Sequence, residues 1–161
     1  METTSTMLVT FGKKHQGKTV ESLILKEPDY IKWVLEQPNP TGGLARVKAE
    51  ALRLIGIFDQ KPIMGPCNGH GCKQPPVRFS AYAGNSEALY QWCDSCNPYE
   101  AGAVSGKLPE IKTYRDALRH VEWTDGGVKS GYKAIVKAMA LRKGLPKRSG
   151  DAQVKAFFAT A

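Results

Sequence analysis

The sequence predicts a small α+β protein. It has an N-terminal strand–turn–helix module, a central zinc-ribbon-like β-hairpin module and a C-terminal region of basic helices. Three observations carry this reading. All four cysteines fall within residues 67–96. Apolar residues alternate between the two cysteine pairs as in strands, and recur at helical spacing on either side of them. The 161 residues are 42% hydrophobic and 24% charged, which is enough to bury a core and too apolar for a disordered chain. The boundaries predicted are 1–61, 62–106 and 107–161.

In the first stretch, residues 6–11 read as a strand, and residues 12–18 as a glycine-bounded turn carrying Lys13, Lys14, His15 and Lys18. Thr19 is a natural N-cap for a short helix through Lys26. Pro28 interrupts that helix and starts a second one bearing Tyr30, Ile31, Trp33, Val34 and Leu35. Tyr30 and Trp33, three apart, read as pins of a small core rather than as stacking platforms. Pro38, Pro40, Gly42 and Gly43 form a breaker cluster. Beyond it, Leu44, Val47, Ala51, Leu54, Ile55 and Phe58 define one apolar helical face.

Residues 11–20 and 29–35 together resemble the C-terminal accessory domain of exodeoxyribonuclease X-like proteins. The shared pattern joins Phe11-Gly12-Lys13, Gly17-Lys18 and a later Tyr30-Ile31-Lys32-Trp33-Val34. The match has one extra residue between Lys13 and Gly17 and covers residues 6–37, a fifth of the chain. The resemblance implies a role beside DNA in nucleic-acid metabolism, without catalysis. Five residues precede the strand, so no exonuclease domain is expected. With the cysteine module and basic helices, the whole chain resembles a phage or bacterial zinc-containing protein.

The cysteines are spaced Cys67-x4-Cys72, then twenty residues, then Cys93-x2-Cys96. Two close pairs so separated suit a tetrahedral thiolate site for Zn2+, with the spacer folding as a hairpin that brings the pairs together. Gly69 and Gly71 supply the conformational freedom a metal-enclosing turn needs. Four thiolates close the coordination shell, so the zinc is predicted to be structural, with His70 outside the ligand set.

In the last stretch, Thr113 and Asp116 form a capping box for a helix bearing Ala117, Leu118 and Val121. Gly126 and Gly127 break it. Val128, Tyr132, Ile135, Val136 and Met139 then make an apolar stripe. On a neighbouring face Lys129, Lys133 and Lys137 repeat every four residues, followed by Arg142 and Lys143. Like charges at this spacing cost an isolated helix about 0.2–0.5 kcal/mol per pair, a cost that phosphates would remove.

Charge agrees with a polyanionic partner. Of a net +8, residues 107–161 carry +7 and residues 1–61 carry +2. The prediction is therefore a zinc-stabilised accessory or regulatory protein that binds nucleic acid, DNA in particular, through phosphate contacts. The contacts predicted are Lys13, Lys14, His15, Lys18, Lys129, Lys133, Lys137, Arg142 and Lys143. Its expected setting is the cytoplasm of a bacterial cell or phage-infected host, with a protein partner in nucleic-acid metabolism and no membrane. One alternative is a phage-type interaction protein that modulates a host enzyme. Another is a metal-dependent nuclease, because Cys93-Asp94-Ser95-Cys96-Asn97 resembles the second knuckle of endonuclease VII-type enzymes. That family's catalytic histidines and aspartate have no counterpart between residues 73 and 92. No G-x-S-x-G or H-E-x-x-H motif is present.

Overall fold

The computed structural model describes residues 7–12, 14–69, 71–81, 89–96 and 111–159. Among them are six helices: α1 (Val20–Lys26), α2 (Pro28–Glu36), α3 (Gly42–Gln60), α4 (Tyr114–Asp125), α5 (Lys129–Arg142) and α6 (Asp151–Ala159). One antiparallel hairpin, β1 (Arg78–Ala81) with β2 (Leu89–Trp92), completes a small α+β fold. No helix of the described residues is long and apolar enough to cross a membrane.

Local chemistry sets most boundaries where the sequence places them. The Thr19 hydroxyl accepts from the Ser22 amide at 3.0 Å, opening α1. Pro28 occupies the first turn of α2, where its missing N–H costs nothing. Thr113 and Asp116 form the reciprocal capping box of α4, which ends on Gly126 at φ +66°. Val128 is a correction: it is the N-cap of α5 and exposed, so the buried stripe runs only from Tyr132 to Ala140.

The expected strand at residues 6–11 is also corrected. Within the described part it is a single antiparallel bridge, Leu8 with Thr19. The Val9 amide donates to the Lys18 carbonyl, and the Gly17 amide donates back to Val9, at 2.9 and 2.8 Å. With no further strand beside it among the described residues, the segment closes the basic turn rather than starting a sheet.

One buried cluster holds the chain together. Leu23, Ile24 and Phe58 from the first stretch meet Ile135, Met139 and Phe157 from the last, along with Phe79, Ala81 and Leu89 of the hairpin. Segments 1–61 and 107–161 thus share one core, with α1 packed on α3, α5 and α6. Fully buried Tyr114 ties α4 into it. Its hydroxyl donates to the Ile24 carbonyl at 2.7 Å, and its ring meets Phe58 edge-on. Its amide donates to the Asp59 carboxylate at 2.7 Å.

Lys143 corrects the basic row. It is 6% exposed, and its Nζ donates to the carbonyls of Phe58 and Lys61 at 2.9 and 3.1 Å, over the Phe58 ring. The last carbonyls of α3 lack the amides of a following turn, the Phe58 carbonyl accepting from the capping Lys61 amide, and the end of the helix is negative, so a buried ammonium fits there. Burial nonetheless lowers its pKa to about 8, against the pull of Asp59. The unfolded chain keeps this proton up to about 10.5. Between those values the unfolded state binds more protons, so the contribution of this site to stability rises as pH goes up. Urea unfolding across pH 8 to 10.5 should show wild type gaining on Lys143→Met. A difference that stays flat with pH would refute the assignment.

Candidate functional site

The four cysteines converge as predicted. Their Sγ atoms all lie within 4.8 Å of one another, and Cys72 and Cys93 are 3.7 Å apart, too far for a disulfide. A tetrahedral ion with metal–sulfur bonds of about 2.3 Å separates its sulfurs by about 3.8 Å. The cluster therefore has the dimensions of a metal site.

Its surroundings fit the same reading. The Gly69 and Cys93 amides donate to the Cys67 sulfur at 3.3 and 3.2 Å, which favours a thiolate there. A Cβ on Gly69 would stand 2.4 Å from the Cys96 sulfur, so only glycine lets the first knuckle close over the cluster. Arg78 donates to the carbonyls of Cys93 and Cys96 and holds the second knuckle. Burial opposes ionisation of Cys93, but the amides of Cys96 and Ser95 and the nearby thiols bring it down to about 7. Hydrogen bonds to Cys93, Cys72 and Cys67 push Cys96 up to about 12. Four sulfurs this close cannot all ionise unless a cation sits among them, and a divalent metal resolves that conflict. His70 lies outside the described residues.

Gln91 connects the cluster to the helices. Its amide donates to Asn68 Oδ1 at 2.6 Å, and its Nε2 donates to the Met64 and Pro66 carbonyls at 2.9 and 2.7 Å. Its Oε1 accepts from Arg142 at 2.8 Å, while Arg142 also donates to the Leu89 carbonyl. Arg142 is thus occupied in joining α5 to the hairpin, not presented as part of an open basic row. Gln91 escaped the sequence reading because alternation marks it only as a strand residue.

The basic residues divide in an informative way. Lys14 and Lys18 are exposed on the turn, and Lys13 lies outside the described residues. Although expected to face a polyanion, His15 is buried against Tyr30, ring centroids 4.4 Å apart. Its Nδ1 lies 3.3 Å from the Lys18 ammonium, which can only donate, so the ring accepts there and is neutral. Burial and then Lys18 lower its pKa. His15 pins the turn to α2.

Lys129 and Lys133 lie beside Glu27, at 3.7 and 3.8 Å, and Lys129 also beside Asp29, at 3.9 Å. Lys14 reaches the same place. Its contact with Lys129 lowers the Lys14 pKa, while Asp29 and Glu27 hold the Lys129 ammonium protonated. The fold therefore brings the turn and the helical row together, over two acids that partly neutralise them. Lys137 is exposed and has no acidic partner among the described residues. Trp33 corrects the core reading: it is 47% exposed, stacked on Tyr30 at 5.8 Å.

Residues 12–19 also satisfy the G-x4-G-K-T spacing of a phosphate-binding P-loop. Several of its amides are occupied within the chain. The Gly17 and Lys18 amides donate to the Val9 and His15 carbonyls, and the Ser22 amide to Thr19, so they are not free to cradle a phosphate. No protein-family model, curated protein or solved structure matches the chain.

Removing bound metal with a chelator should release the Cys67–Cys93 region, seen as loss of Trp92 burial by fluorescence, while helical circular dichroism largely persists. Gly69→Ala should lower the metal content measured by elemental analysis. Full metal retention in that variant would show that the knuckle does not close as described.

Proposed function

We propose that this chain is a zinc-stabilised nucleic-acid-binding protein that acts on DNA as an accessory or regulatory factor. The ion is Zn2+ because four thiolates in a closed tetrahedral set suit it, and its role is structural because no coordination position is left for water. About one zinc per chain is expected, with Cys67, Cys72, Cys93 and Cys96 as ligands. Cys93→Ser should abolish binding of the ion and unfold the hairpin, because metal binding is folding free energy for so small a module.

The observation that supports nucleic-acid binding is the meeting of the turn and the helical row. Lys14 and Lys18 come from one end of the chain, Lys129, Lys133 and Lys137 from the other. Lys14, Lys129 and Lys133 gather over Glu27 and Asp29, with Lys18 further along the same turn and Lys137 one helical turn further along α5, an excess of positive charge over those two carboxylates. Successive lysines on α5 stand about 6 Å apart along the axis, near the spacing of phosphates on one strand. Half-exposed Trp33, backed by Tyr30 and His15, offers a ring for a base beside them. The resemblance of residues 6–37 to the exodeoxyribonuclease X accessory domain points the same way.

Binding to DNA measured across a salt series tests this. Lys14→Ala, Lys18→Ala and Lys129→Ala combined should flatten the slope of log affinity on log salt by about 2–3 units. Trp33→Ala should weaken single-strand binding by about 1–3 kcal/mol. Unchanged slope and affinity would favour a protein that docks on a host enzyme, for which Trp123, 84% exposed on α4, offers an apolar contact.

A further inference from the structure

A groove of about 340 Å3 opens where the C-terminal end of α1 and the body of α5 meet residues 141–149. Four lysines line it: Lys26, Lys133, Lys137 and Lys147. No carboxylate of the described residues belongs to the lining. Its remaining wall is apolar, with Leu141, Leu145 and Pro146 side by side. Lys26 is held in place by its bond to the Ser149 carbonyl at 2.9 Å, and Lys133 leans toward Glu27 at 3.8 Å. Each ammonium has three donors, so both keep hydrogens for a further acceptor. Lys137 and Lys147 have no acidic partner among the described residues.

We infer that this groove binds a nucleoside phosphate, with the phosphate among the four lysines and the base against Leu141, Leu145 and Pro146. Lys133 shares Glu27 with Lys129, and Lys137 and Lys147 carry no neutralising acid among the described residues, so an anion entering the concavity relieves the repulsion between them. The apolar wall would do nothing for a bare phosphate, but it removes the face of a base from water. The volume falls within the range of small-molecule sites, about 300–1,000 Å3, and exceeds what inorganic phosphate needs. This goes beyond the DNA-binding face: a free nucleotide and the phosphorylated end of a strand carry the same chemistry, and the groove suits either. Two of its lysines, Lys26 and Lys147, are not among those predicted to contact a polymer.

Titration of the intact, zinc-loaded protein by calorimetry tests it, with adenosine monophosphate, adenosine diphosphate, adenosine and inorganic phosphate as probes. The nucleotides should bind saturably, and adenosine and phosphate about tenfold or more weaker. The exposed-site variant Lys137→Glu with Lys147→Glu should lose nucleotide binding at least tenfold, with an unchanged circular dichroism spectrum. The variant lacking Lys14, Lys18 and Lys129 should keep it, which separates this site from the DNA face. A 5′-phosphorylated oligonucleotide that binds better than its unphosphorylated twin assigns the groove to strand ends, and equal binding assigns it to free nucleotide. Phosphate binding as well as the nucleotides, or nucleotide affinity untouched by the double charge reversal, overturns the proposal.

Discussion

A two-stranded hairpin is marginally stable alone in water, and this chain's hairpin is covered on both faces. The register pairs Phe79 with Gln91 and Ala81 with Leu89 on one side, Arg78 with Trp92 and Ser80 with Tyr90 on the other. The first side is driven into the helical core by Phe79, Ala81 and Leu89. On the second, Trp92 packs on Cys67 and Cys93, and its indole N–H donates to Ser80 at 2.8 Å. That bond is why Ser80 is buried although alternation marks it as an outward position. Ile111 pairs with Phe79 through two hydrogen bonds of 2.8 Å and anchors the start of α4 to the same strand. The cysteine cluster therefore does not hang from the helices as a separate bead. It is the second cover of a strand pair whose first cover is the core.

The charge of the last third looks uniform in sequence and is not so in space. Lys143 is spent on the carbonyl end of α3, and Arg142 on the hairpin. Lys129 and Lys133 balance Glu27 and Asp29, carboxylates with oxygens that are buried and make no hydrogen bond. Lys137 and Lys147 remain for the groove. A net charge predicts that some surface is positive. It does not say which cations are used internally, because that depends on where helix ends and acids arrive after folding.

This division also separates what was legible in the sequence from what was not. The caps at Thr19 and Thr113, the proline start of α2 and the glycine stop after α4 rest on residues close together along the chain, and the convergence of Cys67, Cys72, Cys93 and Cys96 rests on two close pairs whose spacing is itself the signal. Short-range chemistry decides them, and the pattern is sufficient. The burial of His15 and Lys143, the pairing of Lys129 with Glu27 and the exposure of Trp33 depend on contacts from distant elements. No periodicity encodes those partners. Helix α6 is a middle case: Val154, Phe157 and Phe158 have the spacing of a buried face, but the stretch is short and lies beyond a run of basic residues that dominated the reading.

Helix α5 is where the two candidate functions touch. Its C-terminal residue Arg142 binds the hairpin beside the cysteine cluster, and its body carries Lys129, Lys133 and Lys137. Coupling between metal and lysines would have to travel along this helix. The body is anchored independently, by Tyr132, Ile135, Val136 and Met139 in the core shared with α1. Loosening of the cysteine cluster would reach Arg142 only through Gln91 and the Leu89 carbonyl, and none of those core contacts passes through the cluster, so the lysine row stands without it. The cysteine cluster therefore covers the hairpin, and Gln91 ties it to the segment from Met64 to Asn68, while the lysine row depends on the helical core. The hold on the hairpin and the placement of the lysines are separable features of a single fold.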